Sequence, residues 1–556
     1  MCPPSSRDAR RQATSRPCPD TRGPVPFNLT NPGQCDDNRR VNRPIKQPSA
    51  NSSQVARSTV LVASLLAADK LIGVVREAAV GRAFGMSQAL DAYFAAFEIP
   101  EGLNVIVTGA ALTTSLIPLL NHIIPRADPD ALWRFVSSVL NWVLLVVGIA
   151  SIGAAVFARP IILMVAPGFA DDAAQVALAT RLMRLVLIQT LVFSASTIVT
   201  GTLQAHRHFL LPALAPLCYT LGRIVGVVVL APRMGIFGLA WGGLGGAVAH
   251  LVIKLPWLIH HDAHWTRTLY HPELPNLLRL MGPRMLGMGA TYVSFVLPTI
   301  LGSQLPPGAI SSYEYAWKLM QLPETVLGTA LGIVVFPTLA HIAEQRDHVG
   351  LRQTFSWALR LILTLSVPAG VGLLVLGRPL TAIFLQRGAF DAAATERVYW
   401  ALQFLALGLV THSALEVVAR LFYAQRDMWT PFWAALGGLI LNAGLGWALL
   451  PALAHGAIAL SNSLGAGLQV LVLLAVAHRR LGGVKERALI KSLARTGLAS
   501  LGMGAVVIGF RVLMPTAGTL TIGVGGLALG GTTYVLVALL LGSDEIRELP
   551  RLLRRT

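Results

Sequence analysis

Several ionisable side chains lie in segments of this chain that are otherwise apolar enough to cross a bilayer. Two such segments, at approximately residues 58–81 and 91–121, contain or adjoin the following acids and bases: Asp69, Lys70, Arg76, Glu77, Asp91, Glu98 and Glu101. A charge at bilayer depth costs at least roughly 2.5–3.5 kcal/mol, so it normally faces a wet cavity, a partner or the interface. This stretch therefore predicts a polar cavity inside a membrane protein.

Lys70 and Arg76 are the cations of this stretch that could bind a phosphate. Arg grips phosphate through paired hydrogen bonds, whereas Lys acts as a point charge. Six residues apart on a helix, they differ by about 240° in direction, so they share a cavity only if the helix bends. Pairing with the adjacent Asp69 and Glu77, or snorkelling to the interface, is the alternative. The residues alone leave both interpretations open.

The acids of the second segment have two interpretations as well. Asp91 begins the segment, where a carboxylate either caps the helix or contacts a substrate. Glu98 and Glu101 could pair with the cations of the first segment or bind a coupling cation. Asn104 is a further polar residue that could line the cavity.

Lys318 is the strongest candidate in the second half of the chain, deep in an apolar segment at residues 309–341. Glu314 and Glu324 are its possible counter-ions. We predict four substrate-binding residues: Lys70, Arg76, Asp91 and Lys318. We predict six further residues that line the cavity or couple an ion: Glu98, Glu101, Asn104, Glu314, Gln321 and Glu324.

Composition supports a membrane protein. Of 556 residues, 54% are hydrophobic and 13% are charged, against about 25% charged in soluble domains. The net charge is +18, and the basic residues lie between apolar segments. This distribution favours anionic inner-leaflet lipids over nucleic acid as a partner. The four cysteines have no zinc or disulfide spacing. His260, His261 and His264 have metal-ligand types, but a solvated loop is the preferred interpretation. We predict no metal, no cofactor and no enzymatic activity.

The apolar segments predict an all-α polytopic membrane protein with about 14 transmembrane helices. The remaining predicted spans are 132–158, 177–203, 210–231, 236–260, 278–303, 353–384, 395–421, 430–451, 455–478, 490–512 and 518–542. If the N-terminus is cytoplasmic, roughly 20 Lys/Arg residues fall in inner connections and the C-terminal tail and roughly 7 in outer connections. This bias predicts that both termini are cytoplasmic.

Short matches separated by 219 residues indicate an internal repeat. Arg159-Pro160 is echoed by Arg378-Pro379, and Ala205-His206-Arg207 is echoed by Ala424-Gln425-Arg426. The repeat predicts two six-helix bundles in parallel repeat, plus two C-terminal helices. Such repeats place the substrate site at the interface between the bundles. The predicted domains are a disordered basic arm at 1–56, bundles at 57–265 and 266–485, and two helices with a basic tail at 486–556.

The motifs resemble those of the MurJ/MviN family of the MOP superfamily. The similar stretches are KLIGVVRE at 70–77, AFG at 83–85, DAYF at 91–94, APGF at 166–169, PETVLG at 323–328, RGAF at 387–390 and FYAQRD at 422–427. The resemblance implies a flippase that moves lipid II, the undecaprenyl-pyrophosphate-linked peptidoglycan precursor, from the cytoplasmic to the periplasmic leaflet. The implied partner is thus a lipid-linked glycan pyrophosphate, and the implied location is the bacterial inner membrane.

The chain also departs from that family. Members usually have Arg at the positions of Lys70 and Lys318. Their second span typically carries Leu-Leu-Arg-Arg and then Glu-Gly-Ala-Phe, where this chain has Gly102-Leu103-Asn104-Val105 and Gly109-Ala110-Ala111-Leu112. Lys cannot reproduce the planar grip of Arg on a phosphate. Three alternatives therefore stay open: a flippase for another lipid-linked oligosaccharide such as an exopolysaccharide unit, a cation-coupled small-molecule exporter, and a membrane glycosyltransferase using Asp128 and Asp130.

Overall fold

The described part of the chain is helical, without a strand in those residues. The computed structural model describes residues 52–108, 110–124 and 129–553. Most of the predicted arm at 1–56, together with Asp128, lies outside them. Contacts divide the chain into Met1–Arg57 and Ser58–Thr556. Within the described residues, eleven helices are long and apolar enough to cross a membrane. The other three predicted spans, 58–81, 91–121 and 278–303, also fall on helical segments.

The first half of the chain begins with a long helix that carries Lys70 and Arg76. Its helices are α1 (Ser52–Phe84), α2 (Gln88–Leu103), α3 (Ala110–Ile123), α4 (Pro129–Val156), α5 (Ala158–Val165), α6 (Ala173–Ala205), α7 (Leu210–Val225), α8 (Ala231–Met234), α9 (Ile236–Val252) and α10 (Leu255–His260). Two π-helical turns, Asn104–Thr108 and Gly226–Leu230, interrupt the second and fifth spans. Such turns bend a helix without ending it.

The second half repeats this order. Its helices are α11 (Leu274–Gly302), α12 (Ala309–Glu324), α13 (Ala330–Glu344), α14 (His348–Leu385), α15 (Ala392–Ala424), α16 (Trp429–Leu453) and α17 (His455–Leu481). A π-helical turn at Thr325–Thr329 follows Pro323-Glu324, as the one at Asn104–Thr108 follows Pro100-Glu101. Three helices complete the chain: α18 (Glu486–Leu513), α19 (Thr519–Leu540) and α20 (Asp544–Leu553).

Backbone conformations recur at the 219-residue offset. Arg207 and Arg426, just after α6 and α15, both have left-handed φ values, of 59° and 61°. Gly235 and Ala454, just before α9 and α17, have φ/ψ of 57°/−139° and 50°/−132°. Non-glycine residues rarely adopt either conformation. Their recurrence at one spacing is strong structural support for the parallel repeat.

Corresponding helices also pack in the same pattern. In the first half α6 is central, against α2, α3, α4 and α9, and in the second half α15 packs against α12, α13, α14 and α17. The helices α7 and α9 pair as α16 and α17 do, whereas α18 and α19 pack on α14. The all-α architecture of two repeated bundles plus C-terminal helices is therefore confirmed.

Glycines set the closest of these helix contacts. A Cβ at Gly222 in α7 would lie 2.4 Å from the Cα of Gly246 in α9, and one at Gly226 would lie 2.7 Å from the Cα of Gly242. The backbones therefore meet directly, as small residues permit in membrane helices. This contact fixes the rotation of α7 about its own axis, which matters for Arg223 next to Gly222.

The two halves meet at a junction formed by the end of α1, the beginnings of α2 and α12, and two turns. Ala389 donates its N–H to the Arg82 carbonyl over 2.9 Å, and Gly168 donates its N–H to Ser303 Oγ over 3.1 Å. The turn between α5 and α6 thus contacts the end of α11, and the turn between α14 and α15 contacts the end of α1. These reciprocal contacts close one end of the space between the halves.

Candidate functional site

Glu77 is the centre of a charged cluster between α1 and α12. Its Oε1 accepts hydrogen bonds from Nη2 of Arg76 at 2.6 Å and Nε at 3.0 Å, and its Oε2 accepts one from Lys318 Nζ at 3.1 Å. The glutamate is buried, while both cations keep part of their surface exposed. One carboxylate therefore pairs with two cations that an incoming anion could otherwise bind, and it balances only one of their two charges.

Aromatic rings hold Lys318 in place. Its Nζ lies 4.6 Å from the centroid of the Phe94 ring and 5.5 Å from that of Tyr315. Both distances suit cation–π attraction, which strengthens when water is excluded. Tyr315 in turn donates a long hydrogen bond, 3.5 Å, to the Glu77 carbonyl. The carboxylate that Lys318 contacts directly is thus Glu77. The predicted counter-ion Glu314 interacts with Lys318 through its charge but without a hydrogen bond.

Arg223 on α7 belongs to the same cluster, although the sequence interpretation passed over it. Its guanidinium lies 5.9 Å from the ring centroids of both Tyr93 and Tyr219, and its charge acts on Glu77. Arg223 lies in the middle of the predicted span 210–231. The rule that singled out Lys70, an ionisable residue within a span, would have identified it. We call Arg76, Glu77, Arg223 and Lys318 the cation cluster.

The cation cluster has the chemistry of an anion site. Three cations and one carboxylate leave a formal charge of +2. Burial makes that excess costly in the absence of a compensating anion. A ligand with two negative charges would balance it, and a phosphate oxygen could replace Glu77 as acceptor for Arg76 and Lys318.

Lys70 lies apart from the cation cluster. It is exposed, and it makes no hydrogen bond or ion pair with the described residues. Its neighbour Asp69 accepts a hydrogen bond of 2.8 Å from the Thr220 hydroxyl on α7 instead. The large angle between Lys70 and Arg76 on α1 accounts for this separation. A substrate role for Lys70 stays a prediction.

Asp91 joins the halves of the molecule. Its Oδ2 accepts the N–H of Gly308 at 2.6 Å and its Oδ1 accepts the N–H of Ser311 at 2.8 Å, and the side chain is buried. Asp91 therefore caps α12, while Ser87 caps its own helix, α2. Capping was one of the two sequence interpretations, but the helix that is capped lies 217 residues away in the chain.

The remaining predicted residues distribute over the neighbouring helices. Glu98 accepts a 2.5 Å hydrogen bond from Thr299 on α11, and its backbone carbonyl accepts one from Tyr292, so its predicted pairing with Lys70 or Arg76 was wrong. Glu101 and Gln321 are exposed, and Asn104 and Glu314 are partly buried. Glu324 lies near Thr329, Glu416 and Arg420 rather than near Lys318.

The histidine loop packs against an aromatic side chain. His261 stacks on Trp257 with ring centroids 3.9 Å apart, and His264 Nε2 lies 3.6 Å from an Asp130 carboxylate oxygen. Asp130 begins α4. The described contacts of the histidine loop and of Asp130 are therefore local packing contacts.

An apolar groove lies between α12, α14, α18 and α19. It has a volume of about 380 Å³, and its walls include Leu322, Pro368, Met503, Val507 and Gly526. Leu319, the residue after Lys318, is one of the residues that line the groove. The apolar walls of the groove have the chemistry that a hydrocarbon chain needs.

Comparisons with known proteins agree on one family. The family model described as lipid II flippase MurJ matches residues 80–525. The chain is 31% identical over 431 residues to a lipid II flippase MurJ of Burkholderia cenocepacia, covering 75% of this chain and 82% of that protein. It is 27% identical over 521 residues to a probable lipid II flippase MurJ of Rhizobium tropici, covering 90% and 97%.

Solved structures show the same fold. A lipid II flippase MurJ in an inward closed conformation superposes with a TM-score of 0.74 at 23% identity, covering 88% of this chain and 99% of that one. An inward-facing multidrug resistance MATE transporter of the MOP superfamily gives 0.63 at 14% identity, covering 77% and 99%. At these identities the likeness is one of fold alone.

Proposed function

Because the chain belongs to the MurJ family of lipid II flippases, we propose that it moves lipid II, a peptidoglycan precursor on an undecaprenyl diphosphate, across the membrane. The chain is a multi-pass membrane protein. The bacterial inner membrane, cytoplasmic termini and movement from the cytoplasmic to the periplasmic leaflet are parts of this proposal. Another lipid-linked oligosaccharide and a small-molecule exporter are the less favoured alternatives.

The cation cluster is the observation that carries the proposal. A diphosphate diester has two negative charges at neutral pH, which matches the formal +2 of Arg76, Arg223 and Lys318 with Glu77. Arg76 can make paired hydrogen bonds to a phosphate, whereas Lys318 contributes a directed point charge. Binding of the diphosphate would release Glu77 from one or both cations.

Movement follows from the repeat. The junction closes one end of the space between the halves, so the lipid diphosphate would enter from the other end. Rocking of one bundle against the other would then open the junction, as repeated transporters do around a central site. The undecaprenyl chain would remain in the groove between α12, α14, α18 and α19 or in the surrounding bilayer. No bond is made or broken in this cycle.

The test is rescue of a bacterium depleted of its own lipid II flippase. The wild-type chain should restore growth, and Arg76→Ala should not, although both reach the membrane in equal amounts. Arg181→Ala is the matched control, because Arg181 lies on α6 beside the ring of Phe237, outside the cation cluster. Failure of the wild type at normal membrane levels would contradict lipid II as the substrate.

A further inference from the structure

Arg223 is the cation of the cluster that has no hydrogen bond or ion pair to any described residue. Arg76 and Lys318 are both held by Glu77, whereas the Nε of Arg223 is buried and unpartnered. A buried guanidinium N–H without an acceptor is costly, because it loses hydration without replacement. Its position therefore needs a reason beyond packing.

Two tyrosine rings and a glycine contact hold Arg223 where it is. The guanidinium lies between Tyr93 on α2 and Tyr219, one turn earlier on α7. Tyr219 accepts a hydrogen bond of 3.2 Å from Gln189 on α6. Because Gly222 meets Gly246 backbone to backbone, α7 cannot rotate to carry Arg223 elsewhere.

Two other buried polar atoms near Arg223 also lack partners among the described residues. One is the hydroxyl of Tyr93 and the other is Oε1 of Gln189. A Cβ at Gly243 would lie 2.8 Å from Gln189 Oε1 and 3.8 Å from Cγ of Arg223, so both side chains use the space beside this glycine. Buried polar atoms are normally satisfied, and several unsatisfied ones in one place indicate a missing ligand or water.

We infer that Arg223 is a third diphosphate-binding residue, contributed by α7, that binds one phosphate group while Arg76 and Lys318 bind the other. This inference rests on the proposed function and identifies a part of the same site. Arg223 can bind without displacing Glu77, because Glu77 and Glu101 act on it through their charges and neither is hydrogen-bonded to it. Its planar fork offers the paired hydrogen bonds that Lys318 cannot make. The Tyr93 hydroxyl can donate a further hydrogen bond to the same phosphate.

Direct binding of undecaprenyl diphosphate to the purified protein tests the inference. Arg223→Gln should weaken the affinity about tenfold or more, as expected for a lost charged hydrogen bond. Arg223→Lys should fall between the wild type and Arg223→Gln, and the control Arg181→Gln should bind as the wild type does. Inorganic pyrophosphate is the second probe, since it separates recognition of the anion from recognition of the lipid. An unchanged affinity of Arg223→Gln for undecaprenyl diphosphate would overturn the inference.

A measurement on the wild type avoids any folding defect of the variants. Phenylglyoxal modifies accessible arginines, and mass spectrometry locates the products. Undecaprenyl diphosphate should protect Arg223 and leave Arg181 unprotected. Equal modification of Arg223 with and without the lipid would show that the lipid does not contact this residue, and would overturn the inference.

The outcome also separates this inference from the proposed function. If the wild type fails to rescue flippase-depleted cells but Arg223 still governs diphosphate binding, lipid II is the wrong substrate and the binding role stands. If the wild type and Arg223→Gln rescue equally and bind equally, the flippase proposal stands and the role of Arg223 is refuted.

Discussion

Two buried carboxylates, Asp91 and Glu77, have partners of opposite kinds. Asp91 accepts backbone N–H groups from the beginning of α12, whereas Glu77 accepts side-chain donors from Arg76 and Lys318. A backbone donor moves only with its helix, but a side-chain cation can exchange one anion for another. The comparison separates a region that fixes the halves together, the junction, from a region poised to exchange partners, the cation cluster.

The largest effect is expected at the junction, from Gly168→Ala. The new Cβ would lie 2.0 Å from the Ser303 carbonyl oxygen, and the surrounding atoms are backbone. Since backbone cannot rotate out of the way, we expect a loss of about 3 kcal/mol in stability or a junction that no longer closes. Thermal unfolding in detergent measures it.

Gly153→Ala is the control for that experiment. Gly153 lies in α4 with nothing within 4 Å of its Cβ position, so alanine there should be neutral or slightly stabilising. Wild-type stability of Gly168→Ala would contradict the close backbone contact between the α5–α6 turn and the end of α11.

Asp91→Asn tests whether this carboxylate caps α12 or binds substrate. An amide can satisfy one of the two N–H donors but turns its own NH₂ toward the other, so we expect a loss of about 2 kcal/mol in stability. The affinity of the folded fraction for undecaprenyl diphosphate should stay unchanged. A large loss of affinity with normal stability would instead support the predicted substrate contact. Asp91 would then act on the ligand, as Glu77 does, rather than on the packing of the halves.

Glu77→Gln should act on binding rather than on stability. Removing the internal anion frees Arg76 and Lys318, so the affinity for undecaprenyl diphosphate should rise about tenfold. Transport should not rise with it, because tighter binding before movement also slows release. Equilibrium binding and rescue of flippase-depleted cells, measured together, check both. A lower affinity would show that Glu77 supports the ligand instead of competing with it.

The sequence predicted the fold because its signals are regional. Apolar segments of bilayer length located the spans, and short landmarks such as Arg207 and Arg426 kept one offset over the repeat. Both signals still identify the helices when the predicted boundaries are wrong by several residues. The site depends on single side chains, and there the prediction was partial: Arg76 and Lys318 both contact Glu77, whereas Lys70 does not.

The missed contacts are those between distant parts of the chain. Nothing near Asp91 in the sequence shows that Gly308 and Ser311 will be its donors, because that contact depends on how the halves pack. The Glu77–Lys318 pair also joins residues 241 positions apart. Arg223 could have been found, since a lone arginine within an apolar span already requires an explanation.

Asp427 is a third carboxylate, and it has both the backbone donors found at Asp91 and the side-chain cation found at Glu77. It accepts backbone N–H groups of Trp429 and Thr430 at the beginning of α16 and also pairs with Arg480 at 2.7 Å. Although burial alone would raise its pKa, hydrogen bonds from Thr430 and Arg480 lower the pKa of Asp427 to about 2. Asp427→Asn should therefore cost about 1 kcal/mol or less of stability near neutral pH.

Because the folded-state pKa of Asp427 is depressed, its contribution is present above the unfolded pKa of about 4 and is lost as pH falls toward about 2. The difference in thermal stability between wild type and Asp427→Asn should accordingly shrink over that interval. Arg480→Gln should behave similarly, since it removes the same charge pair. A difference independent of pH would show that the charge of Asp427 does not contribute to stability, which would contradict its pairing with Arg480.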